Sequence, residues 1–324
     1  MFSHLSTEIH LTFAAIAALL LLANAILVLR RRSVPDRDDT ELSLRVRTWW
    51  IIVASFAAVL AVSRTTAVVF FAFTSFLAFK EFLSLIPTRR ADHRVLFWAY
   101  LAIPLQYLWV GTAWFGMFII FIPVYMFIWL PTRMVLIGET KGFLRAIGTV
   151  QWGLMTTVFS LSHAAMLLFI QPGGSARVAA VWADESAKAS GGAALLVFLV
   201  LLTQFNDVAQ FCWGKTVGKR KVIPKVSPGK TVGGLIGGVA STVALAGLVG
   251  PWLTFLDLPR SLIAGLIIGV SGFAGDVSIS ALKRDLGVKD SGSTLPGHGG
   301  VLDRVDSLTY TAPLFFHFIY YCYG

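Results

Sequence analysis

At 324 residues, 56% of them hydrophobic and only 14% charged, the chain is too apolar for a water-soluble domain, which carries roughly a quarter charged residues. Its mean hydropathy is +0.75, and apolar runs of about 20 residues recur, so the sequence predicts an all-α, polytopic membrane protein and excludes a β-barrel, whose strands are short and alternating. The formal net charge of +10 would suggest nucleic acid in a soluble protein; here the cations flank apolar helices and point to anionic lipid and nucleotide phosphates, with no nucleic-acid partner.

Taken in chain order, the expected spans are 11–29, 48–63, 67–86, 95–110, 114–130, 149–170, 191–211, 231–250, 261–275 and 307–322. The second and last are short, so ten is the best count and nine the alternative. The N-terminal "MFSHLSTEIH" lacks Lys and Arg while "RRR" follows the first span, the reverse of a secretory signal peptide; the first span is read as a retained helix. Of the 27 Lys and Arg residues, 22 fall in the alternate loops 30–47, 87–94, 131–148, 212–230 and 276–306, and four in the opposite set. The positive-inside rule then places those five loops in the cytosol and both termini outside, in a plasma (inner) membrane.

Within the third span, "AFKEF" places Lys80 and Glu81 about 100° apart, so they do not share a face. Lys80 lies close enough to the cytosolic end to snorkel. The aromatic ends "TWW" (48–50) and "IYYCY" (319–323) read as interfacial belts. "PGGSARVAAVWADESAKASGG" (172–192) reads as an external loop with a surface helix over 176–189. Cys212 and Cys322 fall near opposite faces and cannot pair, and no metal-binding cysteine spacing exists.

The character changes after about residue 190. We divide the chain into an N-terminal set of helices with short loops (1–190) and a C-terminal region (191–324) that carries two polar cytosolic segments, 206–234 and 275–306. In the second of these, Asp276, Ser280, Lys283 and Arg284 form one polar stripe at helical spacing. Asp303 and Asp306 form a carboxylate pair on the first turn of the last helix. The intervening "DSGSTLPGHGG" favours turns. A helix–loop–helix of this kind brings three carboxylates towards one membrane surface. Carboxylate oxygens suit magnesium, which takes one or two protein carboxylates and completes its shell with water and phosphate. Lys283, Arg284, Lys289 and Arg304 balance a polyphosphate, and backbone N–H groups of the glycine turn approach it closely. The plainer alternatives are a helix cap with an acid at its third position for Asp303 and Asp306, topological cations for Lys283 and Arg284, a solvated helix end for Asp276 and an ordinary loop residue for His298.

The stretch "SALKRDLGVKDSGSTLPGHGGVLDRVD" (280–306) resembles the signature of phosphatidate cytidylyltransferases, or CDP-diglyceride synthases, at Ser280, Lys283, Arg284, Lys289, Asp290, Gly292, Leu295, Pro296, His298, Gly299, Gly300, Asp303, Arg304 and Asp306. Upstream, "ND" (206–207), "WGKTVGK" (213–219) and "PKVSPGKTVGGLIGG" (224–238) are similar to the same family's conserved region. There Gln210-Phe211 stands where Ala-Tyr is usual, and Gly229 where a Lys often stands. The resemblance covers roughly residues 200–324.

The resemblance implies transfer of CMP from CTP to phosphatidate, with CDP-diacylglycerol and diphosphate as products. It implies Asp276, Asp303 and Asp306 as the metal centre, magnesium as the essential ion and potassium as an admissible companion. It assigns Lys283, Arg284, Lys289 and Arg304 to phosphates, and His298, Gly299 and Gly300 to the loop beside the nucleotide. Ser227, Lys230 and Thr231 contribute from the other segment, with the N–H groups that open the eighth helix. Ser280 and Asp290 belong to the same substrate-binding set. Asp207, an ionisable residue at a span end, is a functional candidate by default. Partners are CTP, phosphatidate and membrane lipids, with a homodimer admissible. The competing readings are the same chemistry on an ether or prenyl lipid phosphate, a non-catalytic nucleotide-binding protein and a transporter. A transporter would carry polar or broken helices at the midplane in repeated halves, whereas polar residues here gather at one face and no repeat is visible.

Overall fold

The computed structural model describes residues 5–33, 39–86, 93–170, 185–292, 294–295 and 299–323, with side chains in the fourth stretch described from 191 onward. His298, Pro296 and most of the expected external loop lie outside the described residues.

The described chain is a series of helices joined by turns and loops. The helices are α1 (Thr7–Ser33), α2 (Thr40–Val62), α3 (Arg64–Leu85), α4 (His93–Gly111), α5 (Phe115–Val135), α6 (Phe143–Phe169), α7 (Glu185–Thr216), α8 (Val232–Leu253), α9 (Leu258–Asp285), a single turn α10 (Leu302–Val305) and α11 (Leu308–Tyr323). Every expected span is a helix, so the protein is a polytopic helical membrane protein. Eight of the helices are long and apolar enough to cross a bilayer; α4 and the 16-residue α11 fall short by that measure. α9 runs ten residues past the expected 275 and so carries the whole Asp276–Arg284 stripe.

Local chemistry sets the boundaries. Ser63 is fully extended (φ −170°) and breaks α2 from α3; its hydroxyl accepts from Thr66 N–H at 3.0 Å. Thr231 caps α8 through Gly234 N–H at 3.0 Å, and Asp257 caps α9 through Arg260 N–H at 3.0 Å. Two helices loosen into π-turns, at Phe121–Met126 in α5 and Met155–Phe159 in α6. Nearby, Gln106 donates to Phe118 C=O at 3.0 Å and to the Ser162 hydroxyl at 3.1 Å, and Gln151 donates to Ile122 C=O at 3.2 Å. Buried amides thereby stitch α4, α5 and α6 together where lipid offers no hydrogen bonds.

α6 and α7 are the most buried spans and α1 the least. The aromatic interior contains Phe79, Phe82, Phe118, Phe198, Phe315 and Phe316, all fully buried. α7, α8 and α9 pack by a different device. A Cβ on Gly238 would stand 2.3 Å from Gln210 Cγ, one on Gly234 2.7 Å from Gln210 C=O, and one on Gly265 2.9 Å from Val243 Cα. Bare glycines let these backbones meet, as small residues do in membrane bundles. Asn206 locks the joint: its amide donates to Gly269 C=O at 3.2 Å and accepts from Thr242 Oγ1 at 3.1 Å.

Candidate active site

The C-terminal ends of α3, α7 and α9 meet the start of α8, the α10 turn and the start of α11. This is where the two polar segments converge. Lys230, just before α8, reaches Asp276 on α9 at 2.5 Å and donates to the Gln210 side chain at 3.2 Å. Its ammonium also lies 5.8 Å from the Phe273 ring centre. Arg284 Nε donates to Val226 C=O and its Nη1 to Val288 C=O, each at 3.3 Å, so this residue staples the two segments together.

Two groups of acids result, and they differ in how fully they are satisfied. The first is Asp207, Asp276 and Asp306. Asp276 accepts from Ser280 Oγ at 3.2 Å as well as from Lys230. Asp207 accepts from Ser307 Oγ at 3.1 Å and feels Lys230, Asp276 and Arg304 electrostatically. Asp306 accepts from Ser307 N–H at 2.7 Å. Burial first, then the charges of Asp276 and Asp207, push the Asp306 carboxyl well above the usual carboxylate range. The Ser307 N–H and then the Lys283 ammonium oppose that. Close packing enforces the arrangement: a Cβ on Gly275 would stand 2.6 Å from Asp306 C=O.

The second group is Asp303 with Glu81, and all its oxygens are engaged. Asp303 Oδ1 accepts from Lys283 Nζ at 2.7 Å. Its Oδ2 accepts from Ser291 N–H at 2.8 Å, Ser291 Oγ at 2.9 Å and Gly300 N–H at 3.0 Å. Reaching back three residues to Gly300 is what the acid of a capping box does. Burial pushes the Asp303 carboxyl up, but the Lys283 ammonium and the two N–H groups outweigh it and hold it below its ordinary value. Glu81, near the C-terminal end of the apolar α3, accepts from Thr294 Oγ1 at 2.6 Å, Val301 N–H and Leu302 N–H at 2.9 Å each, and Ser291 Oγ at 3.2 Å.

The structure therefore brings Asp207, Lys230, Asp276, Arg304 and Asp306 together and joins them through Lys283 to a neighbouring Asp303. Gly299 takes a left-handed φ of +77°, and a Cβ there would meet Asp303 Oδ2 at 2.7 Å. Ser227 shapes the hairpin before α8, its C=O accepting from Lys230 N–H at 3.1 Å. Of the N–H groups that open α8, Gly234's is taken by Thr231 and Val232's by Arg220 C=O at 2.8 Å. Lys289 and Asp290 are exposed. Lys80 is exposed too, and Cys212 and Cys322 are free thiols.

Glu81 escaped the sequence reading as a site residue. The available signal was an acid inside an apolar span, which is functional by default, but its partners lie more than 200 positions away.

Among the described residues, no three histidine, cysteine or acidic side chains form a ready-made metal shell. The donor chemistry of Asp207, Asp276 and Asp306 nevertheless fits a hard divalent ion that keeps most of its water or phosphate ligands. Two donors face no protein acceptor: Gln210 Nε2 and Arg304 Nε are buried without a hydrogen-bond partner. Unsatisfied buried donors beside a cationic ammonium suit anionic oxygens.

A polytopic bundle with a half-buried cluster of acids and cations at one end has the makings of a membrane-embedded enzyme. The chain belongs to the cytidylyltransferase family, whose pattern matches residues 43–322, and it is a nucleotidyltransferase. It is 47% identical over 311 residues to the uncharacterized protein YnbB of Escherichia coli, covering 96% of this chain and 98% of that one. It is 42% identical over 117 residues to a phosphatidate cytidylyltransferase of Synechocystis, and 38% identical over 141 residues to one of Haemophilus influenzae. Those two matches cover 35% and 40% of this chain, and 39% and 47% of the respective relatives, so the chain spans less than half the length of the phosphatidate cytidylyltransferases it matches.

Proposed function

We propose that the chain transfers CMP from CTP to the phosphate of phosphatidate, at the cytosolic face of the inner membrane. The observation that carries this reading is the convergence of Lys230, Asp207, Asp276, Arg304 and Asp306, drawn from two segments far apart in sequence, at one end of the bundle. The 22 cations in alternate loops support a cytosolic position for that end.

In this reaction a lipid phosphate oxygen bonds to the α-phosphorus of CTP while the bond to the bridging oxygen of the departing diphosphate breaks. An ionised phosphate monoester is already nucleophilic, so no strong base is needed. The difficulty is bringing two anions together while charge grows on the leaving group, which fixed cations and donors address. Lys230 and the unpartnered Gln210 and Arg304 donors bind and orient phosphate oxygens; Lys283 holds Asp303 and adds its field to the cluster. Asp276 and Asp306, with Asp207 beside them, would hold magnesium, which when bound neutralises phosphate oxygens and lines up the reacting groups. Asp303, fully engaged with the loop, is the member of the expected metal set that would bear on the ion through its neighbours. Potassium and a homodimer stay compatible with this reading.

A second reading has a specific observation behind it. Gln210, where Ala is usual, contacts Lys230 inside the cluster, so an altered acceptor, such as an ether or prenyl lipid phosphate, is the alternative. Purified wild type in detergent, given CTP, magnesium and a panel of phosphatidates and ether or prenyl phosphates, separates the two by which lipid acquires CMP. We expect diphosphate release with phosphatidate, and its loss in Asp276→Asn. Folded wild type that labels none of the lipids, or Asp276→Asn turning over like wild type, would sink the proposal.

A further inference from the structure

The loop that bears the signature is held from outside its own region. Glu81 is 8% exposed and accepts four hydrogen bonds, from Ser291, Thr294, Val301 and Leu302. The last two are backbone N–H groups at the opening of the α10 turn. Such groups have no partner within their own helix and are normally capped by the residue just before it. Here a carboxylate from a different helix, in the other half of the chain, caps them, and its negative charge suits a helix start.

The loop is cut to this carboxylate. A Cβ on Gly300 would stand 2.3 Å from Glu81 Oε2 and 2.3 Å from Ser291 Oγ; one on Gly292 would stand 3.2 Å from Glu81 Oε1. The Ser291 hydroxyl touches both Glu81 and Asp303, at 3.2 and 2.9 Å. Glu81 thereby connects through one hydroxyl to the acid that Lys283 neutralises.

We infer that Glu81 is a positioning residue for cytidylyl transfer: from α3 it fixes Ser291, Thr294 and the start of α10 at Val301 and Leu302 and, through Ser291, the placement of Asp303 and Lys283. Its effect on turnover rests on the activity proposed above; its effect on the loop does not. An apolar side chain of similar size would leave the Thr294 hydroxyl and the Val301 and Leu302 N–H groups to find other partners, with the Ser291 hydroxyl keeping only Asp303, so a carboxylate here answers a specific demand.

The test compares Glu81→Gln, Glu81→Asp and Phe82→Ala with wild type in nanodiscs. Phe82 is a buried α3 neighbour of Glu81 that packs on Trp152 and has no polar group with which to hydrogen-bond the loop. In Glu81→Gln one acceptor oxygen becomes an NH2 that faces donors. Hydrogen exchange across 299–305 should quicken while exchange across α3 stays as in wild type. Turnover at saturating CTP should fall on the order of 10–100-fold, the usual range for a residue that orients others, with KM for CTP moving much less. Glu81→Asp should recover part of the loss. Should Glu81→Gln not fold, Ser291→Ala with Thr294→Val removes two of the same bonds from the loop side and should give the same pair of effects. Unchanged exchange, unchanged turnover, or the same pair of effects from Phe82→Ala would each overturn the inference. If wild type transfers CMP to no lipid phosphate, the proposed activity fails, and the exchange measurement alone decides whether Glu81 holds the loop.

Discussion

Gly300→Ala gives a sharp test of how the loop is built, because the space for a methyl group can be stated in ångströms. The added Cβ would sit 2.3 Å from both Glu81 Oε2 and Ser291 Oγ, whereas ordinary contact begins at 3.4 Å. About 1 Å of movement is therefore required, and displacements of that size cost on the order of 100-fold in rate when they reach reacting groups. Neither neighbour can swing aside cheaply. The Glu81 carboxylate is tied by four bonds and Ser291 by its ties to two carboxylates. Overpacking of this kind costs about 1–3 kcal/mol in stability, tolerable for a bundle that is otherwise intact. The internal control is Gly229→Ala, where a Cβ meets nothing within 4 Å. Measured as CMP transfer from CTP in detergent, Gly300→Ala should lose roughly two orders of magnitude, and Gly229→Ala should match wild type. Gly300→Ala within a few-fold of wild type, or Gly229→Ala equally impaired, would refute the reasoning.

Lys283→Met should destabilise by about 3–5 kcal/mol, since it strips the cation from an acid whose side chain is only 5% exposed; thermal unfolding in detergent reads this at neutral pH. The sign with pH follows from the lowered Asp303 value. Its contribution is complete above the unfolded value of 3.8 and is lost as pH falls through the lower folded value. The gap between wild type and Lys283→Met should therefore narrow below about pH 4; a gap that widens there contradicts the pairing. Gly238→Val puts its Cβ 2.3 Å from Gln210 Cγ and 3.0 Å from Gln210 Cα, and should cost about 1–3 kcal/mol in the same assay. Gly148→Ala, in α6 with nothing within 4 Å, should instead stabilise by about 0.5 kcal/mol, through helix propensity alone. Thr231→Ala removes the α8 cap and should cost about 1 kcal/mol.

The spans were legible because a bilayer demands long apolar runs, and all ten expected runs are helical. The helix–loop–helix at 275–306 was legible because helical spacing and turn residues alternate there. What each acid does was not. Asp276, Asp303 and Asp306 read alike in sequence, yet Asp303 has every oxygen engaged by the loop and Lys283 while Asp306 is crowded by other carboxylates. That difference depends on which donors approach in space, and local spacing carries no record of it. The plain reading, with Asp303 as the cap and Asp306 as the acid three residues on, differs from the structure, where Asp303 is itself the acid that reaches back to Gly300 N–H and Asp306 accepts from Ser307 N–H. The π-turn at 121–126 also lacks a local signature; its Ile122 C=O accepts from the Gln151 amide on the neighbouring α6.

Two devices join helices in this bundle, and they divide the work. Between α7, α8 and α9, glycines bring backbones into contact, so the segments carrying Asp207, Lys230 and Asp276 are held by shape. Between α3 and the signature loop, the join is a carboxylate meeting four donors. Lipid tails are as apolar as leucine, so no hydrophobic force presses α3 onto the loop; the contact holds only if its polar groups are matched. A buried donor left without a partner costs about 1–3 kcal/mol, so losing Glu81 altogether penalises several groups at once. The N-terminal half, which reads as little more than apolar spans, thus helps to build the loop: it supplies the carboxylate that Thr294, Val301 and Leu302 bind, and a second partner for Ser291 beside Asp303.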